Sequence, residues 1–374
     1  MKKYPLYLNT AIAVCTLFFA CSGSKSLTYN ITSEAQCAQK GGYWYKGKCW
    51  RNYEDEGIDN ADIDRIVDEQ MVKIKKADVK IDGNSYPLSM FMPIPQGEDI
   101  ILLTMFEDEE GTVTVYQTAK LKEMEKKGKV VSEAVLIRGN LMEVAEQNLS
   151  EEEMKKLAIG KGNLTVTMRG EMEEISISGN YTDNATKASK QISYTATEDF
   201  GGGGTSTMEV KGNEIHINGD LGTRSYYQLR KILREHPQVK TAVLGNISGS
   251  VNDAVNMHTG RILREAGLNT KVLKDSEIAS GGVDLFCAGV ERIVEKGAKL
   301  GIHSWCCVGN LTAVDIPKDH PAHQYQIEYF TMCLGEKMGP DFYFHTLEAA
   351  PFDDVHWMSE EEMKEWNVVT SFRE

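Results

Sequence analysis

The sequence predicts a β-rich N-terminal segment followed by an α/β domain, and three observations carry that reading. From Lys75 to Thr197 the apolar residues alternate in short runs, among them Thr112-Val113-Thr114-Val115-Tyr116 and Ile175-Ser176-Ile177-Ser178, separated by Gly, Asn and Asp as in an antiparallel sheet. After Gly201 to Gly204 the rhythm changes to strand, helix, strand, which implies parallel βαβ units. The charge is partitioned as well. Residues 1–50 carry +5 (6 basic, 1 acidic), residues 51–200 carry -12 (18 basic, 30 acidic) and residues 201–374 carry -7 (17 basic, 24 acidic). The total of -14 repels phosphate backbones and anionic lipid, so no nucleic-acid partner is expected.

The first 21 residues read as an export signal: Lys2 and Lys3, an apolar run from Leu6 to Ala20, then Cys21 followed by Ser22, Gly23 and Ser24. The run is shorter than the ~20 apolar residues that span a bilayer. Phe18-Phe19-Ala20-Cys21 resembles the lipobox of bacterial lipoproteins, with Phe18 where Leu is usual. That resemblance implies lipidation at Cys21 and a protein of the bacterial cell envelope, lipid-anchored and facing the periplasm or exterior. Seven Asn-x-Ser/Thr sequons, at Asn30, Asn148, Asn163, Asn180, Asn184, Asn246 and Asn310, are discounted in that setting.

Export makes the compartment oxidising, so paired cysteines read as disulfides. Cys37 and Cys49 bracket a loop rich in Gly and aromatic residues, which suits a disulfide-closed hairpin. One of Cys306 and Cys307 could bridge to Cys333, leaving Cys287 as a buried thiol. The acidic stretch Asp59 to Lys76 repeats Ile63, Ile66, Val67 and Met71 at helical spacing. A capping box of Ser150 with Glu153 predicts a second helix running to Gly160. The boundaries that follow are 1–21 for the signal, 22–74 for the disulfide loop and acidic helical linker, 75–200 for the β-rich acidic domain, 201–206 for a Gly-rich flexible linker and 207–374 for the α/β domain.

Within that last domain, Glu214 to Gly219 reads as a strand, Ser225 with Gln228 opens a helix that runs to Pro237, and Val239 to Leu244 is the next strand. A second helix carries Ala254, Val255, His258, Ile262 and Leu263 and stops at Gly267, and Thr270 begins a third strand. Sites in such units lie where strands end and helices begin. Two turns have that character: Asn246-Ile247-Ser248-Gly249-Ser250-Val251 and Ile278-Ala279-Ser280-Gly281-Gly282-Val283. On position alone Ser280 reads as a plain helix N-cap.

Roughly Glu214 to Val369 resembles the Clp-protease/crotonase superfamily, and within it the periplasmic Clp-like proteins. Gly249-Ser250-Val251 is similar to the end of the family's Gly-Gly-Ser-Val turn, and Ala279-Ser280 matches its nucleophile turn. Gly289 falls nine residues later, as in the family's helix-ending Ala-Gly. The strand Arg292-Ile293-Val294, the turn at Lys296-Gly297 and Lys299 to His303 stand where the family has a strand hairpin ending in its base. The stretch from Asp353-Asp354 to Val369 resembles its Asp-containing strand and terminal helix. Ile247 and Ser248 replace Pro-Gly in the first turn, Gly281 and Gly282 follow the serine where the peptidase has a larger residue, and the hairpin is two residues shorter.

The resemblance implies a Clp/crotonase-like α/β domain and acyl transfer. Ser280 would be the nucleophile, His303 its base, Asp354 or Asp353 the acid that holds the imidazole, and the Gly249 and Gly281 amides the oxyanion donors. It also implies a homo-oligomer, a peptide or already unfolded polypeptide as substrate, and no cofactor. A metal is not expected, because His320, His323, His345 and His356 repeat no ligand spacing. Asp284, one helical turn after Ser280, has no assigned role. Two other readings stand beside the hydrolase: a catalytically inactive envelope binding or scaffolding lipoprotein with the same fold, and acyl-CoA chemistry of the crotonase kind.

Overall fold

A computed structural model describes residues 28–50, 62–96, 98–139, 157–170, 174–305 and 312–374. Cys21, the export signal, Cys306 and Cys307 lie outside the described residues. The chain separates into two compact units, one comprising Glu69–Thr205 and the other Ser206–Glu374 with Gly23–Asp68.

Near the N-terminus, β1 (Thr28–Tyr29), α1 (Glu34–Gln39), β2 (Tyr43–Tyr45) and β3 (Lys48–Trp50) build a small three-stranded sheet in the order β1-β3-β2. Lys46 and Gly47 turn β2 into β3 with φ of 45° and 73°, the two left-handed residues that a tight hairpin requires. The Cys37–Cys49 disulfide is present and both cysteines are buried. It joins α1 to β3 rather than closing the hairpin on itself. The acidic stretch forms α2 (Ile63–Lys75), which buries Ile63, Val67, Met71 and Ile74 at helical spacing.

The first unit is a closed antiparallel barrel of eight strands: β4 (Asp78–Ile81), β5 (Asn84–Gln96), β6 (Asp99–Asp108), β7 (Gly111–Lys120), β8 (Lys129–Arg138), β9 (Ala158–Arg169), β10 (Glu174–Asp183) and β11 (Ser189–Thr197). Each strand pairs with its sequence neighbour, and β4 closes on β11 through Ile81 opposite Ile192 and Lys80 opposite Ser193. Eight strands leave an interior just wide enough for side chains. Thr104 donates to the Tyr194 hydroxyl at 3.0 Å, and Gln117 Nε2 donates to Ser132 Oγ at 2.9 Å and Leu164 O at 3.0 Å, whereas the buried Gln117 Oε1 has no partner among the described residues. Helix α3 (Leu121–Lys127) connects β7 to β8 and buries Met124.

The helix expected from the capping box of Ser150 with Glu153 lies outside the described residues up to residue 156; it stops short of Gly160, because β9 begins at Ala158, where the alternating run toward Val166 pairs with β8 and β10 on both sides. The glycines expected to form a flexible linker follow a short helix, α4 (Glu198–Gly201), and Gly202 and Gly203 are buried.

The α/β unit holds a six-stranded sheet in the order β12-β13-β14-β15-β17-β20. Its strands are β12 (Thr207–Lys211), β13 (Glu214–Asn218), β14 (Thr241–Leu244), β15 (Asn269–Val272), β17 (Arg292–Glu295) and β20 (Ser371–Arg373), all parallel from β13 onward. Crossovers run through α5 (Thr223–Glu235) and α6 (Asp253–Glu265). Ser225 does not open α5. It sits in the third helical position and its Oγ accepts from the Gly222 amide at 3.0 Å.

A second sheet, β16-β18-β19, is formed by β16 (Glu277–Ala279), β18 (Lys299–Ile302) and β19 (His356–Trp357). Between β16 and β17 lies α7 (Gly281–Cys287), with Val283, Leu285, Phe286 and Cys287 buried. Helices α8 (Gln324–Leu334), α9 (Met338–Ala349) and α10 (Glu360–Glu365) complete the unit. The hairpin expected before His303 is absent, since β17 and β18 belong to different sheets. Their parallel partners β15 and β16 pull them apart.

Barrel packing is tightest where glycine replaces a side chain. A Cβ on Gly162 would lie 2.2 Å from the Asn180 carbonyl oxygen. Gly162→Ala is expected to cost ~1–3 kcal/mol by overpacking, seen as faster amide hydrogen exchange in β9 and β10, and unchanged protection there would refute the close approach.

Candidate active site

The second sheet positions the candidate nucleophile and base. β16 and β18 run parallel with Ala279 opposite Gly301, and the Ser280 amide continues the ladder by donating to Gly301 O at 2.9 Å. Ser280 therefore leaves β16 beside the strand that ends at His303. Its φ of +52° and ψ of -125° lie in a region that non-glycine residues rarely occupy, at a cost of order 1–3 kcal/mol.

Ser280 occupies the N-cap position of α7, yet its side chain caps nothing, and the hydroxyl has no hydrogen-bond partner among the described residues. The plain N-cap role is thus not what the residue performs. A cap would have used an extended backbone and a hydroxyl bonded to the first turn. Here the strain presents a half-buried hydroxyl that is left uncommitted.

The first turn is stitched onto β16. The Ile247 amide donates to Glu277 O at 3.0 Å and Ile247 O accepts from the Ala279 amide at 2.8 Å. That brings Ser250 against Gly281. A Cβ on Gly281 would meet Ser250 Cβ at 2.5 Å, its Oγ at 2.8 Å and its amide nitrogen at 2.9 Å, so only glycine fits. The Gly281 carbonyl is held by Asn256 Nδ2 at 2.9 Å and the Gly249 carbonyl by the Leu221 amide at 2.9 Å. The N–H groups of Gly249 and Gly281 have no acceptor among the described residues, and both residues are buried. Two unspent amides on abutting turns are the donors that an oxyanion requires.

His303 is half-buried at the end of β18, and its Nδ1 lies 2.8 Å from Ser304 O. A carbonyl only accepts, so Nδ1 carries the proton and the Nε2 lone pair is left to act as a base. Ser304 is itself fixed by its amide bond to Ala350 O at 2.9 Å. Burial pushes the His303 pKa below its ordinary value, against the opposing pull of the Ser304 carbonyl and of the Asp253 charge. The ring is therefore neutral at pH 7.

Asp353 and Asp354 are exposed in the turn ahead of β19, and neither is hydrogen-bonded to His303. An Asp354 oxygen accepts instead from the Val355 amide at 2.8 Å. The nitrogen that a triad aspartate would engage is taken by the Ser304 carbonyl. The carboxylate whose charge His303 feels is Asp253, the first residue of α6, which the sequence reading missed. Its signal was present: Asp253 stands three residues after Ser250, and Ser250 Oγ donates to it. Burial raises the Asp253 pKa, while the Ser250 bond and His303 oppose that rise.

No protein-family model matches the chain, and no curated protein does. Among solved structures it is similar to an enoyl-CoA hydratase from Bacillus anthracis (14% identity, 45% of this chain and 69% of that one, TM-score 0.31). It is also similar to an enoyl-CoA hydratase/isomerase from Marinobacter aquaeolei (12% identity, 46% and 70%, TM-score 0.32). A third is a variant of the membrane-bound stomatin-specific protease 1510-N in complex with a substrate peptide (14% identity, 42% and 73%, TM-score 0.32).

Two outcomes check this geometry. Gly281→Ala should separate the two turns and lower any Ser280-dependent acylation ~100-fold or more, the scale of losing one oxyanion donor; acylation at the wild-type rate would show that the turns need not touch. In an NMR titration His303 should protonate below pH 6.5, and Asp253→Asn should lower that midpoint further by removing an attractive anion; a rise on substitution would contradict the assigned coupling.

Proposed function

We propose that the protein is a serine hydrolase acting on peptides, with Ser280 as nucleophile and His303 as base. The observation that carries this reading is the strained, uncapped Ser280 standing beside two unspent backbone amides. In the proposed reaction Ser280 Oγ attacks the substrate carbonyl carbon while His303 Nε2 takes the hydroxyl proton. The Gly249 and Gly281 amides receive the developing oxyanion. The C–N bond then breaks, the imidazolium returns its proton to the leaving amine, and water attacks the acyl-serine by the same route in reverse, releasing the acid.

The main-chain carbonyl of Ser304 takes over the orienting task of a triad acid, and Asp253 supplies a nearby negative charge that favours the imidazolium. The Cys37–Cys49 disulfide and the N-terminal sequence support work outside the cytoplasm, on a lipid anchor at Cys21. A non-catalytic binding role is the second reading. It is favoured by the lack of a direct hydrogen bond between the Ser280 hydroxyl and the His303 ring, although such contacts commonly tighten only when substrate is bound.

A fluorophosphonate probe decides between them. The folded wild-type protein should be labelled at Ser280, with labelling abolished by Ser280→Ala and reduced ~1,000-fold or more by His303→Ala. Asp353→Asn and Asp354→Asn should label within about threefold of wild type, as changes at exposed carboxyls with no hydrogen bond to the ring do. No labelling of folded wild-type protein would overturn the hydrolase reading and favour the binding role.

A further inference from the structure

The chain leaves the second sheet after Ile302, so the peptide that orients His303 is held by contacts outside the ladder. That peptide is the planar unit linking Ser304 to Trp305, whose carbonyl accepts from His303 Nδ1 at 2.8 Å. Where the carbonyl points depends on how the chain is fixed on either side of the plane. Ahead of it, the Ser304 amide donates to Ala350 O at 2.9 Å. After it, the Trp305 indole Nε1 donates to the Tyr343 hydroxyl oxygen at 3.0 Å. Both anchors belong to one element, because Ala350 caps the C-terminus of α9 and Tyr343 stands about two turns earlier along the same face.

Tyr343 is 2% exposed, and its hydroxyl is engaged in both directions. It accepts from Trp305, whose indole N–H can only donate, and its own proton faces His323 Nδ1 at 2.7 Å. Burial pushes the Tyr343 pKa up, against the bond from Trp305, so the phenol keeps that proton. Burial pushes the His323 pKa down to about 4, against the pull of the Ile316 and Pro317 carbonyls, so its ring is neutral at pH 7 and Nδ1 accepts. His323 is itself buried, at the end of the short turn Pro321–His323, with its ring packed edge-on against Tyr343 at 5.6 Å and Phe344 at 5.3 Å. The relay from Trp305 through Tyr343 to His323 therefore has a fixed direction and a rigid end.

We propose that Tyr343 is a positioning residue for His303: by holding the Trp305 indole against α9 it keeps the Ser304 carbonyl aimed at Nδ1, and so keeps the proton off Nε2. A phenyl ring at position 343 would fill the same space and leave the indole N–H without its acceptor. The catalytic consequence rests on the reading of His303 as the base. The tautomer is a property of the folded chain whether or not any acyl group is transferred.

The test reads the His303 imidazole in the full chain by nitrogen–proton NMR correlation above pH 7. The wild-type ring should carry its proton on Nδ1, and Tyr343→Phe and Trp305→Phe should each turn it into a mixture of tautomers. The double variant should change it no further, because both substitutions remove the same bond. Phe344→Leu trims the packing on His323 without removing a hydrogen bond, so it should lower thermal stability and leave the tautomer intact. The maximal rate of fluorophosphonate labelling at Ser280 should fall ~10-fold in Tyr343→Phe, with the half-saturating probe concentration within about twofold of wild type. A wild-type ring protonated on Nε2, an unchanged tautomer in folded Tyr343→Phe or Trp305→Phe, or an equal change in Phe344→Leu overturns the assignment. If neither hydrogen-bond variant folds, the wild-type protein decides: the Trp305 indole N–H should exchange with solvent ~100-fold or more slower than free indole, and exchange at the free rate overturns the assignment. The expected tautomer change in a protein that is never labelled, or that is labelled at the wild-type rate regardless, overturns the reading of His303 as the base and leaves the positioning of its ring in place.

Discussion

The arrangement depends on one close approach, that of Gly281 to Ser250. Two chain reversals, each at the end of a different strand, meet where Gly281 has no room for a methyl group. The consequences propagate outward. Asn256 reaches from α6 to hold the Gly281 carbonyl, Ile247 is knitted to β16 through both its amide and its carbonyl, and the Gly249 and Gly281 amides have no acceptor among the described residues. Ser280 adopts its left-handed conformation within this frame. A strained residue persists only where its neighbours over-determine it, and here the Gly301 carbonyl on one side and the Val283 and Asp284 amides on the other do so.

Much of this was legible in the sequence because local rules agreed with the tertiary outcome. The runs Glu214 to Gly219 and Thr270 to Leu273 could be placed as strands because apolar residues were bounded by glycine, and they became β13 and β15 with small shifts at their ends. Ser280 and His303 were singled out by the resemblance to the family's nucleophile turn and base, since on position alone Ser280 reads as a helix N-cap. The disulfide followed from two cysteines around a tight turn, although the partner of β3 turned out to be α1.

What was not legible was set by pairing across sequence distance. Ala158 to Gly160 carried the end of a helical signal, but β8 and β10 flank them and the ladder prevails over local propensity. The separation of β17 from β18 could not be read from the turn at Gly297, because the two parallel partners that divide them lie earlier in the chain. The orienting group for His303 escaped for a different reason. Sequence patterns report side chains, and the acceptor is a peptide carbonyl, so attention went to two exposed aspartates. Asp253 escaped because beside Asn252 it looks like helix-opening chemistry, which it also performs.

The peptide carbonyl at Ser304 bears on how such a centre ages under mutation. A carboxylate that steadies an imidazole is lost by a single codon change, whereas every residue brings the same main-chain oxygen. Drift at position 304 therefore leaves the acceptor in place so long as the chain keeps its path against Ala350. The vulnerability moves to whatever shapes that path, the packing of α9 foremost, and loss of the ring's orientation would arrive by gradual displacement of backbone rather than by deletion of one chemical group.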